Sequence, residues 1–485
     1  MVKRITRRQF LRLSAGATAG AVLAACGSEP AAPTVPTAPA AMGATAPAAG
    51  GATAPAAGGA IAPTAGGAIA PTAGGATAPT AAPAAASGES GTLTVWGFEG
   101  TYEGIESQVD AFTKQFPNVK VDIKKFGYDD THTNLLNAIV AGTGAPDLVG
   151  IDVLRLTQYV DGLTDLSEQA KPYFDQFVPP IVSLGSYKGK FYGLATDSEP
   201  VGVFYRKDLW DQYSVQEEKI ETWADLANAS GQVHDASQGK VSLYAMNAND
   251  FNLFEVLAVE QGFPGYYFNK DDTQVIVDDP KMVEAVNALK PLWGAKGVLQ
   301  NVNGGAYGDE MTAALKSGKV TAQIIGAAWY PSTLTQNMPE LSGKWRLMRV
   351  PAVKKGGPRI GYQYPTVWVI PQQSTLKSSA WELAHMSLIG DGARRLYEKT
   401  KILPAYKPLL DELETKSDDY FGGQKVVELS RAIAKDTPDV FFGTGFTEAQ
   451  EIMGNYLQEI LNGQKSAEDG LRAAAQEMRE KLKKG

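Results

Sequence analysis

Cysteine is almost absent: the 485-residue chain has one, Cys26. A lone cysteine excludes an internal disulfide and a thiolate metal site. Histidine is nearly as scarce. His132, His234 and His385 lie far apart, and none has the His-x-x-x-His or Glu spacing that would hold a metal. No Gly-x-Ser-x-Gly elbow, phosphate-cradling P-loop or dinucleotide glycine fingerprint is present. The chain is therefore not expected to be an enzyme or to carry a cofactor. No apolar run reaches the roughly 20 residues that span a bilayer. Cations are outnumbered, 45 Lys and Arg against 53 Asp and Glu, for a net charge of −8. An acidic surface repels phosphate backbones, so nucleic acid is not an expected partner.

The first 12 residues carry Lys3, Arg4, Arg7, Arg8 and Arg12 and no acid. A short apolar stretch, Leu13 to Ala25, follows. A basic start, a short apolar middle and small residues at its end form an export signal rather than an anchor helix. Thr6-Arg7-Arg8-Gln9-Phe10-Leu11-Arg12 resembles a twin-arginine signal. Leu23-Ala24-Ala25-Cys26-Gly27 resembles a bacterial lipobox, which implies cleavage before Cys26 and a diacylglycerol on its sulfur. Loss of residues 1–25 removes five cations, moving the net charge from −8 to −13. The expected location is the outer face of the cytoplasmic membrane, extracellular or periplasmic.

Residues 26–90 are Ala, Pro, Gly and Thr with almost no charge and no aromatics. Gly51-Ala52-Thr53-Ala54-Pro55 recurs in near copies at Gly59, Gly67 and Gly75. Units this short and small-chained cannot build a core, so the segment is expected to be a disordered tether. As a flexible coil, about 64 residues span roughly 40–50 Å.

From Gly91 onward strand and helix patterns alternate. Thr92-Leu93-Thr94-Val95-Trp96 and Val119, Val121, Ile123 have the period of strands. Ile105, Val109, Phe112 and Phe116 have helical spacing, ended by Pro117. Asp147 to Ile151 is a short apolar strand. Thr447 begins a helix that Asn462-Gly463 ends, and Ser466 caps the last helix with Asp469 at capping-box spacing. Alternation of this kind over nearly 400 residues predicts two α/β lobes with largely parallel sheets.

Several segments in order resemble the family 1 extracellular solute-binding proteins. They include Leu93-Thr94-Val95-Trp96-Gly97, Phe112 to Val121 with its Phe-Pro-x-Val-x-Val step, Ala145-Pro146-Asp147-Leu148-Val149, Gly189-Lys190-Phe191-Tyr192-Gly193-Leu194, Val203 to Leu209, Glu221 to Leu226, and Gly326-Ala327-Ala328-Trp329. Ala195 and Arg206 stand where proline and asparagine are common. The resemblance covers most of residues 92–485. It implies a two-lobed periplasmic-binding-protein-like fold of type II with a hinged cleft, and a monomer that hands a sugar to ABC transporter permease subunits. By analogy the chain crosses between lobes near Glu199–Val203 and Val369–Gln372. Lobe 1 would be 91–202 and 371–425; lobe 2 would be 203–370 and 426–485.

A sugar offers hydroxyls to acids, amides and guanidinium groups, and C–H patches to aromatic faces. Ligands of open α/β sheets bind outside the carboxyl ends of strands. Trp96 and Glu99 end the first strand, Asp152 and Arg155 follow the Asp147–Ile151 strand, and Trp329 and Tyr330 follow the Val320–Ile325 strand. Asp197 and Glu199 flank the first proposed crossing; Tyr362 and Tyr364 precede the second. The resemblance places Glu199 at a ligand-contacting acid and Trp329 at a sugar-stacking tryptophan. Each position also has a packing reading: the tryptophans between core elements, Asp197 as a turn cap, Asp152 and Arg155 as a pair. Two other functions stay open, a surface glycosidase using paired carboxylates and a receptor for a non-sugar such as a polyamine.

Overall fold

The computed structural model describes residues 88–98 and 100–485. The signal, Cys26, nearly all of the tether and Glu99 lie outside the described residues. The described part belongs to one unit, Thr80–Gly485.

Its strands are β1 (Gly91–Gly97), β2 (Val119–Lys125), β3 (Leu148–Asp152), β4 (Ser186–Tyr187), β5 (Lys190–Phe191), β6 (Gly193–Ala195), β7 (Gly202–Arg206), β8 (Ser242–Met246), β9 (Val298–Gln300), β10 (Val320–Gly326), β11 (Trp345–Arg349) and β12 (Thr366–Val369). Two five-stranded sheets form, in the orders β2-β1-β3-β12-β6 and β11-β7-β10-β8-β9. β4 and β5 make a separate hairpin. In the first sheet only β12 runs against its neighbours. In the second only β7 does.

The exceptions have a topological cause. A chain leaving the carboxyl end of β6 meets the other sheet at its own carboxyl ends. It must therefore run away from the crossing as it pairs, as β7 does; β12 enters the first sheet in the same way from β11. Both strands sit beside the crossings, and the sequence pattern of alternating helices and strands does not reveal their direction.

The crossings form a three-stranded hinge. Segment 196–201 pairs with 361–366 through Val201 N–H to Gly361 O (2.9 Å), Gln363 N–H to Glu199 O (2.9 Å) and Thr196 N–H to Thr366 O (2.9 Å). On its other side Ser198 N–H donates to Leu403 O and Ala405 N–H to Thr196 O, each at 3.2 Å. Two expected lobe boundaries therefore move. β12 belongs to the first sheet, so the second crossing precedes Thr366. The third crossing lies near 403–405, well before 425: Gln424 already brackets β11 by bonding Leu347 N–H and O, each at 2.7 Å.

Local chemistry explains the element ends. Thr222 and Asp225 form a reciprocal capping box on helix Trp223–Ala236, and Trp223 is wholly buried in the core. Helix Phe446–Leu461 ends at Asn462, and Ser466 caps Ala467–Leu482 by accepting from Asp469 N–H (3.0 Å). The helical spacing from Ile105 to Phe116 is split into Tyr102–Glu106 and Val109–Gln115. Asp147 is structural: it accepts from Thr94 N–H (2.9 Å) and Ser374 Oγ–H (2.6 Å). Glu89, placed in the tether by composition, accepts from Ser379 N–H (2.8 Å) and Ser379 Oγ–H (2.6 Å). It thereby supplies an anion at the start of helix Lys377–Leu388, and the folded part begins there.

Gly150 lies tight against one ring. A Cβ there would come within 3.3 Å of the Trp368 indole, whose Nε1–H donates to Thr196 Oγ1 in the hinge (3.0 Å).

Candidate binding site at the hinge

The first lobe contributes the carboxyl end of β3 and what packs around it. Asp152 is buried and accepts a hydrogen bond from the Tyr128 hydroxyl. Its backbone N–H donates to His132 Nε2 (3.1 Å), and His132 Nδ1 faces Tyr128 O (2.8 Å). Nε2 can accept only when unprotonated, so the neutral tautomer with its proton on Nδ1 satisfies both contacts. Burial drives the His132 pKa down to about 4, which keeps the ring neutral. Phe98, just past β1, packs on Tyr128 and His132 at ring distances of 5.1 and 5.7 Å. Arg155 does not bond Asp152. Its guanidinium lies 5.6 Å over the Tyr128 ring and 3.9 Å from Asp129.

The hinge contributes two more acids. Asp197 accepts from Thr366 N–H (3.0 Å). Glu199 is 1% exposed, and among the described residues its carboxyl oxygens meet no donor; its polar neighbour is the Asp197 carboxyl, with which it can share a proton. Burial, then the adjacent Asp197 and the nearby Asp152, raises the Glu199 pKa well above the carboxylate range. Two neighbouring buried carboxyls cannot both ionise cheaply. Glu199 therefore holds a proton and Asp197 takes the charge.

The second lobe supplies amides and rings. Asp250 caps helix Phe251–Glu260 and fixes Asn252 through its N–H (3.0 Å) and Nδ2 (2.9 Å). Asn252 Oδ1 accepts from Tyr364 OH (2.8 Å) and Gln363 Nε2 (3.2 Å). Glu255, pushed up to about 8 by burial, accepts from Tyr267 OH (2.7 Å) and Gln450 Nε2 (2.9 Å). Trp329 is half-buried, with T-shaped contacts to Tyr307 (5.1 Å) and Tyr330 (5.5 Å). The lobes also meet where Gln158 Nε2 donates to Thr447 Oγ1 (3.0 Å).

The structure thus gathers Asp152, Asp197 and Glu199 into one acidic group, with Tyr364 and Trp329 on elements bonded to the same hinge. It gives other positions different roles. Trp96 lies within β1 and packs edge-on against Phe126 (5.3 Å); Phe98 is the β1-end residue that reaches the Asp152 group. Tyr330 is a core residue, 2% exposed and packed on Phe204 at 5.4 Å. Tyr362 is buried in the hinge, its carbonyl accepting from Tyr266 OH (3.0 Å). Sequence reasoning missed Phe98, Tyr128, His132, Asn252, Tyr307 and Gln363. Tyr128 follows the carboxyl end of β2, so the rule that selected Asp152 would have found it.

Among the described residues no group of His, Cys, Asp or Glu is arranged to hold a metal. A separate groove of about 650 Å³ is lined by Tyr205, Lys207, Trp210, Glu217, Arg346 and Gln424, among others. None of the unpartnered buried polar atoms belongs to its lining, so the acid-rich hinge is the better candidate.

A match to the family described as bacterial extracellular solute-binding protein spans residues 96–387. The chain belongs to that family. Among curated relatives, the arabinooligosaccharide-binding protein of Bacillus subtilis is 26% identical over 82% of this chain and 94% of its own length. The lactose-binding protein of Rhizobium radiobacter is 24% identical over 70% of this chain and 80% of its own. Among solved structures, the ABC transporter associated binding protein of B. animalis subsp. lactis, in complex with beta-1,6-galactobiose, superposes with a TM-score of 0.70 at 23% identity, covering 81% of this chain and 98% of that one. The GacH receptor of Streptomyces glaucescens gives 0.68 at 20% identity, covering 81% and 99%. The solute-binding protein thus has the two-lobed fold, and its curated relatives are binding proteins.

The raised Asp152 makes a prediction for this solute-binding protein. Burial, with the nearby Asp197 charge, lifts its pKa to about 7. The native state then holds a proton that the unfolded chain releases near pH 4. Its stabilising contribution is full below about pH 4 and is lost as pH rises toward 7, by up to about 1.4 kcal/mol per pH unit. His132 acts oppositely, losing stability as pH falls from about 6.5 toward 4. Asp152→Asn isolates the first effect. Its stability relative to wild type should rise with pH between 4 and 7 in denaturant titrations. A pH-independent difference would show that Asp152 is not the proton holder.

Proposed function

We propose that this protein is the extracytoplasmic receptor of an ABC importer. It captures an oligosaccharide between its lobes and delivers it to the permease. The observation that carries the reading is Glu199, a fully buried carboxyl that meets no donor and has only another acid, Asp197, to share its proton with, at the hinge beside Asp152 and a set of half-buried aromatics. A buried carboxyl that meets no donor is costly unless a ligand uses it. Protonated and ionised carboxyls side by side offer donors and acceptors to vicinal hydroxyls, and Trp329 and Tyr364 offer apolar faces. The names of the curated relatives favour short pentose or hexose chains.

A glycosidase fits less well. Its two carboxyls flank the scissile bond, about 5–10 Å apart, whereas Asp197 and Glu199 are neighbours on one hinge segment and share a proton between them. One observation favours a polyamine: among the described residues the acids Asp152, Asp197, Glu199, Asp250 and Glu255 gather near one cation, Arg155. A thermal-shift panel of arabino-oligosaccharides, lactose, maltotriose and spermidine separates these readings, since a ligand of the folded state raises the melting temperature. A shift with a saccharide and no release of reducing ends supports the receptor. Cleavage, or a shift with spermidine alone, overturns it.

In the same proposal the chain acts as a monomer held at the outer face of the cytoplasmic membrane by a lipid on Cys26, after twin-arginine export. No helix among the described residues is long and apolar enough to cross a membrane. Cys26→Ser should move the protein from the membrane fraction to the soluble exported fraction on immunoblots; unchanged sedimentation with membranes would refute the lipid anchor.

A further inference from the structure

Trp329 owes its setting to a defect in β10. The pairing of β10 with β7 shifts register between Gln323 and Gly326. A register shift takes a carbonyl out of the ladder, and Ile325 O is satisfied by side chains instead. It accepts from Gln323 Nε2 (2.7 Å) and from the Tyr307 hydroxyl (3.0 Å). Four residues after Ile325, Trp329 receives the Tyr307 ring in a T-shaped contact at 5.1 Å. One residue thus holds both the strand end and the indole that follows it.

Tyr307 is tied to the hinge as well. Its oxygen accepts from Gln363 Nε2 (3.1 Å), and Gln363 also reaches Asn252 (3.2 Å). Gln363 lies on the crossing segment, where its backbone N–H donates to Glu199 O (2.9 Å). A rotation of the crossing segment against the second lobe therefore acts on Tyr307 through a single hydrogen bond. The path from the backbone of Glu199 to the Trp329 ring has three links: Gln363, Tyr307 and the ring contact.

We propose that Tyr307 is a positioning residue: held by Gln363 on the hinge and by Ile325 on β10, it sets the Trp329 indole in register with lobe closure. This rests on the reading of Trp329 as a ligand-stacking residue. The hydroxyl is not a keystone of the fold. Without it Ile325 O keeps Gln323, and Gln363 keeps Asn252, so no buried group loses its last partner. Tyr307→Phe keeps the ring and removes only the two tethers.

The test needs no ligand at first. The chain has eight tryptophans, and 5-fluorotryptophan labelling gives each a fluorine signal. Trp329→Phe assigns the Trp329 signal. In Tyr307→Phe that signal should shift or broaden while the others keep their positions; an unmoved Trp329 signal overturns the proposal. Gln363→Met, which cuts the hinge tether of Tyr307 and the Gln363–Asn252 bond but leaves the Ile325 tether, should move the same signal, and it serves if Tyr307→Phe does not fold.

Arabinotriose titration supplies the second arm. Tyr307→Phe should raise Kd at least fivefold in the wild-type background and less than twofold in the Trp329→Phe background, because residues acting as one unit are not additive. A fivefold loss in both backgrounds means that Tyr307 touches the saccharide itself, and the positioning role is rejected. Normal binding by Trp329→Phe would refute the stacking role of Trp329 while the fluorine signals still decide whether Tyr307 holds the indole.

Discussion

Trp329→Ala should weaken saccharide binding by about 2 kcal/mol or more, roughly thirtyfold, while leaving the fold largely intact. The indole is half-buried and touches Tyr307 and Tyr330 edge-on, against the 0% exposure of the packing tryptophans Trp210, Trp223 and Trp345. Truncating one of those should cost about 3–5 kcal/mol of stability. Trp329→Ala leaves two aromatic neighbours that still pack on one another, at 6.3 Å, and removes a side chain that is only partly buried. Calorimetric titration and denaturant unfolding of the same mutant separate the outcomes. A collapse of stability with normal binding by the remaining folded protein would make Trp329 a packing residue and displace the site.

Glu199→Ala should cost at least tenfold in affinity and nothing in stability at neutral pH. The sign follows from its buried proton. Glu199 is neutral in the folded protein and ionised in the unfolded chain above about pH 4.3. Its stabilising contribution is therefore full in acid and lost as pH rises, by up to about 1.4 kcal/mol per unit. Near neutrality the wild type carries that penalty and the alanine variant does not. The small void left by truncation offsets part of the gain, so the net change in stability should lie between zero and a modest increase. A residue that costs stability and supports binding marks a site kept for function. If the alanine variant binds saccharide as tightly as the wild type, Glu199 is only an awkward hinge residue and the acidic group is not the site.

The sequence disclosed most of the scaffold and about half of this site, and the boundary between the two has a physical basis. β1, β2, β3 and β10 were legible because alternation and apolar runs record which face is buried. The caps at Thr222 and Ser466 were legible because a cap and its partner lie three residues apart. Gln363 was not, because its partners Tyr307 and Asn252 are 56 and 111 residues away. The same holds for Asp152 and Tyr128: each end of the bond lies at a strand end, but the bond joins positions 24 residues apart on separate elements. Tyr330 is a core residue because neighbouring positions at a helix start face different ways: Trp329 packs on Tyr307, and Tyr330 on Phe204. The second crossing was placed too late because β12 looks like any apolar strand; only its antiparallel pairing with β3 shows which sheet it joined.

Glu89 and β1 have a mechanical consequence. The folded part begins where Glu89 grips the start of helix Lys377–Leu388, and the chain then runs straight into β1, which lies between β2 and β3. Tension drawn through the N-terminus loads β1 along its own axis, so its parallel ladders with β2 and β3 bear it in shear, many bonds at once, rather than unzipping singly. The load enters through one lobe. If the N-terminal segment is held at the membrane as proposed, the leash pulls on the sheet of one lobe at β1 and not on the hinge segments 196–201 and 361–366.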